Sequence, residues 1–127
     1  MNETNLTNRQ PINIEQKLSL FNDHWNPRIV GELNKQHVKI AKIKGEFIWH
    51  KHDDEDEMFL VLKGTLKIAF RDKTETINEN EIIIIPRGTE HKPIAEKEVS
   101  IMLFEPATTI NTGALENELT RKNLEAI

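Results

Sequence analysis

The chain has 127 residues, enough for one domain with a single modest core. Its 17 basic and 21 acidic side chains give a net charge of −4, which argues against a nucleic-acid-binding module because such modules carry a basic face. The absence of cysteine excludes disulfides, thiolate zinc sites and cysteine nucleophiles, so a bound metal would need histidine, carboxylate, carbonyl or water ligands. The polar N-terminus lacks a signal-peptide core and no apolar run is long enough to span a membrane, so we expect a cytoplasmic protein without membrane partners.

The N-terminal part predicts a frayed segment followed by a short helix. Residues 1–10 are rich in Asn and Thr and contain one aliphatic residue, Leu6. After Pro11, Asn13 can cap a helix whose apolar face holds Ile14, Leu18 and Phe21. We therefore expect a frayed segment over residues 1–10 and a single domain over residues 11–127.

From Arg28 onward, short runs rich in Val and Ile alternate with turn residues, which predicts an all-β domain. The run Ile82–Ile85 is apolar on both faces, so we expect it to be a central strand or to lie at a subunit contact. The predicted strands cover residues 28–33, 36–43, 46–51, 57–63, 65–71, 74–77, 81–85, 91–95 and 98–105.

The C-terminal tail, residues 106–127, predicts a loop followed by a short helix. Thr120 is a candidate N-cap for that helix, and Leu124 could dock on the β domain. The chain contains no internal repeat and no low-complexity tract.

Two histidines form the sharpest chemical feature of the sequence. His50 and His52 are separated by one residue in a strand-like stretch, so both imidazoles should project from one face. Buried without a ligand, two such rings would be costly, whereas together they can chelate a divalent ion. Glu57 begins a strand whose inward face should continue through Phe59 and Val61.

A third histidine can reach the same cavity. The segment from Pro86 to His91 predicts a strand end and a tight turn, which can return His91 towards the first pair. Three imidazoles and one carboxylate suit one divalent transition metal, namely Fe, Mn, Ni, Co or Zn. Such a set leaves coordination positions free for water or substrate.

Together these residues resemble the two motifs of the cupin superfamily, here Gly45-x4-His50-x-His52-x4-Glu57-x6-Gly64 and Asn80-x5-Pro86-x-Gly88-x2-His91. The resemblance implies a small double-sheet β-barrel, or jelly roll, over roughly residues 28–105. It also implies metal binding by His50, His52, Glu57 and His91. The whole chain is similar to small bacterial cupins often labelled mannose-6-phosphate-isomerase-like, a label that marks similarity and not activity.

The chain departs from the cupin pattern at three points. Four residues instead of five separate Gly45 from His50, Asn80 replaces an opening glycine, and Ala95 replaces a final asparagine. The change at Asn80 is mild because asparagine tolerates a positive φ. None of the three removes a metal ligand.

The remaining candidate residues favour structural interpretations. We expect a solvated acidic loop over residues 53–56, with repulsion of anionic ligands as its alternative role. Arg87 is expected to be solvated, with contact to a carboxylate as the alternative, and Trp25 to occupy a core position. His24, His37 and Trp49 are interpreted as surface, strand-edge or outer-sheet residues.

The sequence leaves more than one function open. The leading hypothesis is a metal-dependent enzyme acting on a small polar molecule at the barrel mouth, by isomerase, lyase or oxygenase chemistry. Glu55 and Glu90 are the acid/base candidates, and few other polar residues are expected inside. The alternatives are a non-catalytic metal-binding or small-ligand-binding protein, such as a sensor, and a barrel that keeps its ligands without a metal role. Because isolated barrels of this kind pair sheet edges, we expect a homodimer, with Ile82–Ile85 as a suitable contact.

Overall fold

Seven strands and one short helix make up the computed structural model, which describes residues 5–127. Five predicted strands are confirmed with bounds that agree within one residue, namely those over residues 28–33, 57–63, 65–71, 74–77 and 81–85. The elements are α1 (Ile14–Leu18), β1 (Arg28–Leu33), β2 (Gln36–Glu46), β3 (Glu57–Lys63), β4 (Leu66–Phe70), β5 (Thr74–Ile77), β6 (Ile82–Ile85) and β7 (His91–Pro106).

All strand pairs are antiparallel, and the long strand β7 joins the two layers. The main sheet has the order β1-β2-β7-β3-β6, while β4 pairs with β5 and with β7. Residues 91–94 of β7 pair with β4 and residues 100–104 with β3, whereas residues 94–95 and 99–106 pair with β2. The predicted double-sheet barrel is therefore confirmed, with β7 contributing to both sheets.

The core fills the interior between the sheets, because inward-facing apolar residues alternate along each strand. Phe70 packs at the edge of this core and is only half-buried. The core residues are Ala41, Ile43, Phe59, Val61, Leu66, Ile68, Ile77, Ile85, Ala95, Val99, Ile101 and Leu103.

The prediction of a separate strand over residues 46–51 is wrong. Gly45 has a φ of +88°, and the β2–β7 register shifts next to it, so regular pairing ends at Glu46. The alternation expected beyond Gly45 is lost, since Phe47 is buried whereas Ile48, on the side of His50 in a regular strand, is only partly buried. The predicted strands 91–95 and 98–105 are likewise one continuous strand, β7.

The short N-terminal helix is confirmed together with its cap. The side chain of Asn13 accepts a hydrogen bond of 2.9 Å from the backbone N–H of Gln16. Residues 1–4 of the predicted frayed segment lie outside the described residues. The carbonyl of Leu6, in the same segment, accepts a hydrogen bond of 3.3 Å from the backbone N–H of Glu32 in β1.

The predicted C-terminal helix is wrong, since residues 107–127 form turns. The Thr120 hydroxyl accepts from the backbone N–H of Asn117 instead of capping a following helix, and the Asn111 side chain accepts from the N–H of Arg121. Side chains thus form hydrogen bonds with backbone N–H groups that would bond to backbone carbonyls in a helix. The last residue, Ile127, donates its N–H to the carbonyl of Ile29 in β1.

The strand β6 lies at the end of the main sheet and not at its centre. Only one face of β6 meets the core, because Ile85 is 2% exposed whereas Ile82 and Ile84 are 55% and 61% exposed. The expectation of a central strand is therefore wrong. Among residues 5–127, no helix has the length and apolar character that a membrane crossing requires.

Candidate metal centre

Backbone pairing brings together chain segments that are far apart in the sequence. His50 lies in the irregular segment after β2, and it exchanges two backbone hydrogen bonds with His91, the first residue of β7. The carbonyl of His52 accepts a hydrogen bond of 2.8 Å from the N–H of Gly88, in the turn that precedes His91. Glu57 is the first residue of β3. These contacts bring the predicted ligand residues to one end of the barrel.

The side chains of His50, His52, Glu57 and His91 converge on one point. Each offers one ligand atom, and these four atoms lie within 4.8 Å of one another. A carboxylate oxygen of Glu57 is 3.7 Å from Nε2 of His52, and the other is 3.3 Å from Nε2 of His91. All four residues are buried. The group could hold a metal ion.

Two of the imidazoles have their tautomer fixed by the backbone. Nδ1 of His50 lies 2.9 Å from the carbonyl oxygen of Ile48, and Nδ1 of His91 lies 2.9 Å from that of Thr89. A carbonyl oxygen can only accept, so each Nδ1 carries the proton and each Nε2 keeps a free lone pair. This is the arrangement that orients a histidine for metal ligation.

The burial of the histidines keeps them neutral. Desolvation lowers the pKa of His50 to about 4 and that of His52 to about 3, and it also lowers the pKa of His91. At neutral pH the three rings are therefore uncharged, as metal ligation requires. Burial raises the pKa of Glu57, so the bare carboxylate is costly until a cation compensates its charge.

Several polar atoms of the cluster are left without a hydrogen-bond partner among residues 5–127. They are both ring nitrogens of His52, Nε2 of His91 and Oε1 of Glu57. Each such atom costs roughly 1–3 kcal/mol when buried. One nitrogen each from His50, His52 and His91, with one carboxylate oxygen of Glu57, fits a divalent transition metal. Such an ion would give a partner to one nitrogen of His52, to Nε2 of His91 and to the Glu57 carboxylate. Such an ion, when bound, polarises a carbonyl or hydroxyl group or lowers the pKa of a water molecule.

A cavity lies next to the cluster, inside the barrel. His50 and Glu57 form part of its wall. Its other walls are mainly apolar. They include Trp25, Pro27, Ala41, Ile43, Phe47, Phe59, Pro93, Ile101, Leu103 and Leu124.

The cavity also contains an ion pair that the sequence analysis missed. Nζ of Lys39 donates to Oε2 of Glu105 at 2.7 Å, and the two side chains are only 2% and 3% exposed. The strand alternation could have revealed both, because Lys39 precedes the inward residues Ala41 and Ile43 at the same spacing of two. Burial raises the pKa of Glu105 well above its usual range, and the neighbouring Glu57 raises it further.

The acid/base candidates Glu55 and Glu90 do not face the cavity. Oε2 of Glu55 accepts a hydrogen bond of 2.9 Å from the hydroxyl of Thr108 in the tail. Oε2 of Glu90 lies 3.3 Å from the guanidinium of Arg71 on the outer surface. Neither belongs to the cavity lining, so the structure gives no support to an acid/base role for either residue.

Arg87 is paired rather than free. Its backbone N–H donates to Oδ1 of Asp56 at 2.8 Å, and its guanidinium lies 3.3 Å from the same oxygen. The Arg87 contact lowers the pKa of the Asp56 carboxyl, which is fully exposed. The acidic loop is thus tied at Asp56 to the turn that leads to His91.

The histidines outside the motif lie away from the cluster, as predicted. Nε2 of His24 is 2.7 Å from Glu98, and Nε2 of His37 is 2.9 Å from Glu32. Trp49 packs under the guanidinium of Arg71, 3.9 Å from the ring centre, on the outside of the barrel.

Trp25 is part of the cavity wall as well as of the core. Its ring stacks on Phe47 with centroids 4.8 Å apart, and Phe47 in turn makes an edge contact with His50. The backbone of Trp25 has a φ of +57°, which is rare for a bulky residue. Its amide and its indole N–H hold that conformation by donating to the carbonyls of Lys42 and Lys44.

The C-terminal tail closes over the same end of the barrel. Leu124 and Asn111 contribute to the cavity lining, so Leu124 docks on the barrel as predicted. Gly113 has a φ of +65°, and a Cβ at this position would collide with the carbonyl oxygen of Lys51, between His50 and His52. The tail therefore packs directly against the segment that carries the histidine pair.

Comparison with known proteins identifies the class. The Cupin domain family matches residues 36–105, which is more than half of the chain, so the chain belongs to the cupin family. A cupin-2 domain protein from Shewanella frigidimarina NCIMB 400 is 52% identical, with a TM-score of 0.74, over 75% of this chain and 93% of that one. Protein NMB1881 from Neisseria meningitidis is 28% identical, with a TM-score of 0.71, over 76% of this chain and 99% of that one.

Curated relatives match over shorter regions. The uncharacterized protein YdbB of Bacillus subtilis (strain 168) is 44% identical over 64 residues, which is 50% of this chain and 57% of that protein. A mannose-1-phosphate guanylyltransferase of Sinorhizobium fredii (strain NBRC 101917 / NGR234) is 32% identical over 69 residues, which is 54% of this chain and 13% of that protein. The matched region is thus a domain within a longer chain in the second relative.

Proposed function

We propose that this cupin is a metal-dependent enzyme in which His50, His52, Glu57 and His91 hold one divalent transition metal ion. The ion would act on a small molecule bound in the adjoining cavity. The observation that carries the proposal is the set of buried donor atoms that converge without hydrogen-bond partners among residues 5–127. A cation would compensate both their lost hydrogen bonds and the charge of Glu57.

The reaction class follows from what the metal and the cavity can supply. The four protein donors leave coordination positions for a substrate oxygen or a water molecule. Isomerase, lyase and oxygenase chemistry all begin with such a coordinated oxygen group. A substrate with an apolar body is favoured, because the cavity walls are mainly apolar.

Elemental analysis of the protein purified without added metal tests the metal site. We expect uptake of one equivalent of Zn(II) or Ni(II), and loss of that uptake in the double variant His50→Ala, His52→Ala with unchanged β-rich circular dichroism. The matched control is His24→Ala, His37→Ala, which removes the same number of histidines away from the cluster. A wild-type protein that takes up no metal on titration would overturn the proposal.

The second candidate is a non-catalytic metal-binding or small-ligand-binding protein. It is favoured by one specific observation: Glu55 and Glu90, the expected acid/base groups, lie outside the cavity. Metal-dependent turnover in a metabolite screen separates the two candidates. Ligand-induced stabilisation without any turnover would favour the binding protein.

We also propose that the chain forms a homodimer through the outer face of the main sheet. The exposed side chains of Ile82 and Ile84 continue into half-buried apolar residues of β3 and β7 that share their register. These neighbours are Met58, Leu60, Met102 and Phe104. Contiguous apolar surface of this kind is typical of protein contacts. A monomeric mass by light scattering at micromolar concentration would contradict it.

The domain boundaries and the location in the cell stay predictions. The division into an N-terminal segment over residues 1–10 and one domain over residues 11–127 can be tested by limited proteolysis, which should cut first within residues 1–10. A cytoplasmic location can be tested by cell fractionation.

A further inference from the structure

The buried ion pair in the barrel is placed on the inner face by two neighbouring strands. In the β2–β7 register, Lys39 faces Leu103 and His37 faces Glu105, so Lys39 and Glu105 are diagonal neighbours. Both side chains line the cavity that also contains His50 and Glu57. A lysine and a glutamate are rarely buried to this degree, so the pair needs a physical explanation.

The pair is incompletely satisfied. The Lys39 ammonium has three N–H donors, and within residues 5–127 its one hydrogen bond goes to Oε2 of Glu105. The second oxygen of that carboxylate, Oε1, receives no hydrogen bond from an N–H group in the same range, and the Glu105 carboxyl lies beside that of Glu57. Two apolar residues of similar volume would be at least as stable at these positions. The free donors therefore point to a ligand that accepts hydrogen bonds inside the cavity.

The formal charge of the cavity indicates which ligand would fit. Its charged lining residues are Lys39, Glu57 and Glu105, which together carry one net negative charge when all three are ionised. A divalent cation at the histidine cluster reverses this balance to one net positive charge. In a cavity of low polarity an uncompensated charge is expensive, so one further negative charge is favoured and two are not.

The walls restrict the ligand further. The stacked rings of Trp25 and Phe47, together with the side chains of Phe59 and Leu103, give the cavity an apolar surface. A sugar phosphate would bring several hydroxyl groups and up to two negative charges into this surface. A compact apolar body with one carboxylate matches both the walls and the charge.

We propose that Lys39 and Glu105 form an anion-recognition point for a small apolar monocarboxylate bound in the barrel. Lys39 donates its free N–H groups to the ligand carboxylate, and Glu105 fixes the position of the ammonium. The apolar body packs against Trp25 and Phe47. This inference rests on the proposed metal-dependent function, whose substrate class it names.

Binding of benzoate and 3-methylbutanoate to the Zn(II)-loaded protein tests the inference, by calorimetry and by tryptophan fluorescence, to which Trp25 contributes. The comparison ligands are benzamide, which lacks the charge, and mannose 6-phosphate. We expect benzoate to bind about tenfold or more tightly than benzamide, because a buried hydrogen bond to a charged group is lost in the amide. Mannose 6-phosphate should bind more weakly than benzoate.

Two variants distinguish the effect of the Lys39 ammonium group on affinity from the effect of the net charge. Lys39→Met, Glu105→Gln removes both charges and leaves the net charge unchanged, so benzoate affinity should fall about tenfold or more while zinc content stays the same. Glu105→Gln alone keeps the ammonium and adds one positive charge, so affinity should be retained or increased.

Each outcome has one meaning. Equal binding of benzoate and benzamide by the zinc-loaded wild type would overturn this inference alone, and so would equal benzoate binding by the double variant. Failure of the wild type to take up zinc would overturn the proposed function and this inference with it. The benzoate and benzamide comparison needs no variant, so equal binding of the two would overturn the inference even if the double variant does not fold.

Discussion

His50 and His91 are joined through both of their backbone amides, although 40 residues separate them in the chain. The N–H of His50 donates to the carbonyl of His91 at 3.1 Å, and the reverse bond measures 2.9 Å. Their imidazole rings also lie close together, with centroids 4.3 Å apart, and each Nδ1 is hydrogen-bonded to a nearby backbone carbonyl. The positions of two donor nitrogens are thus set by the backbone, so the site is preorganised before any ion binds.

Preorganisation has a stability cost that can be measured at His52. Both of its ring nitrogens are buried without a hydrogen-bond partner among the described residues. His52→Leu should therefore lower the unfolding free energy of the metal-free protein by no more than about 1 kcal/mol, or increase it. The same variant should lose the increase in Tm that Zn(II) gives the wild type. Thermal unfolding with and without zinc measures both effects.

The matched control for this prediction is His37→Leu. His37 bonds to Glu32 at 2.9 Å and lies away from the cluster, so this variant should keep the zinc-dependent increase in Tm. A His52→Leu protein that zinc stabilises as strongly as the wild type would show that His52 is not a ligand.

Stability should also depend on pH through the buried histidines. The pKa of His52 is about 3 in the folded protein against 6.5 for the free side chain, so between these values the unfolded chain binds the proton that the folded chain excludes. The contribution of His52 to stability is therefore present above pH 6.5 and is lost as the pH falls towards 3.

The difference between wild type and His52→Gln isolates this contribution. Because glutamine does not titrate, the wild type should lose up to about 1.4 kcal/mol per pH unit relative to the variant below the pKa of free histidine. Urea unfolding of both proteins in the presence of a chelator, from pH 7 downward, measures the difference. Curves that stay parallel over this range would mean that His52 titrates normally when folded.

Local sequence patterns were sufficient for the strands and for the cluster. Alternation of apolar residues predicted β3 and β4. The tolerance of asparagine for a positive φ predicted that Asn80 can replace a glycine, and Asn80 has a φ of 67°. The motif spacing predicted the four residues that converge. These features depend on short stretches of chain, so periodicity and turn chemistry decide them.

Long-range contacts account for the failures. The strand expected over residues 46–51 is interrupted because the β2–β7 register shifts at Gly45, which only the partner strand reveals. The expected tail helix is replaced by turns that pack on the barrel. The pairing of Lys39 with Glu105 depends on the same register, 66 residues apart, although alternation alone places Lys39 inside.

The contact between the tail and the histidine segment makes Gly113 a sensitive position. Gly113→Ala would place a methyl group against the carbonyl of Lys51 as well as strain a backbone with a φ of +65°, so we expect a loss of stability of about 1–3 kcal/mol or more. Zinc affinity should fall too, because Lys51 lies between His50 and His52. Chemical unfolding and zinc titration measure the two effects.

Gly88→Ala provides the control for backbone strain. Gly88 has a φ of +78°, but a Cβ there would meet nothing within 4 Å. The variant should therefore cost only the conformational part, roughly 1 kcal/mol. If both alanine variants cost the same, the tail does not press on the histidine segment.

The proposed dimer predicts that charges on β6 separate the subunits. In the double variant Ile82→Lys, Ile84→Lys, two lysines would have to be buried without partners in the interface, which is strongly unfavourable. Light scattering should show a dimeric wild type and a monomeric variant, while zinc content stays unchanged because neither residue lines the cavity. Leu20→Lys is the control, since Leu20 is 62% exposed and belongs to none of the strands, so it should remain dimeric. A variant that keeps the dimeric mass would place the interface elsewhere on the barrel.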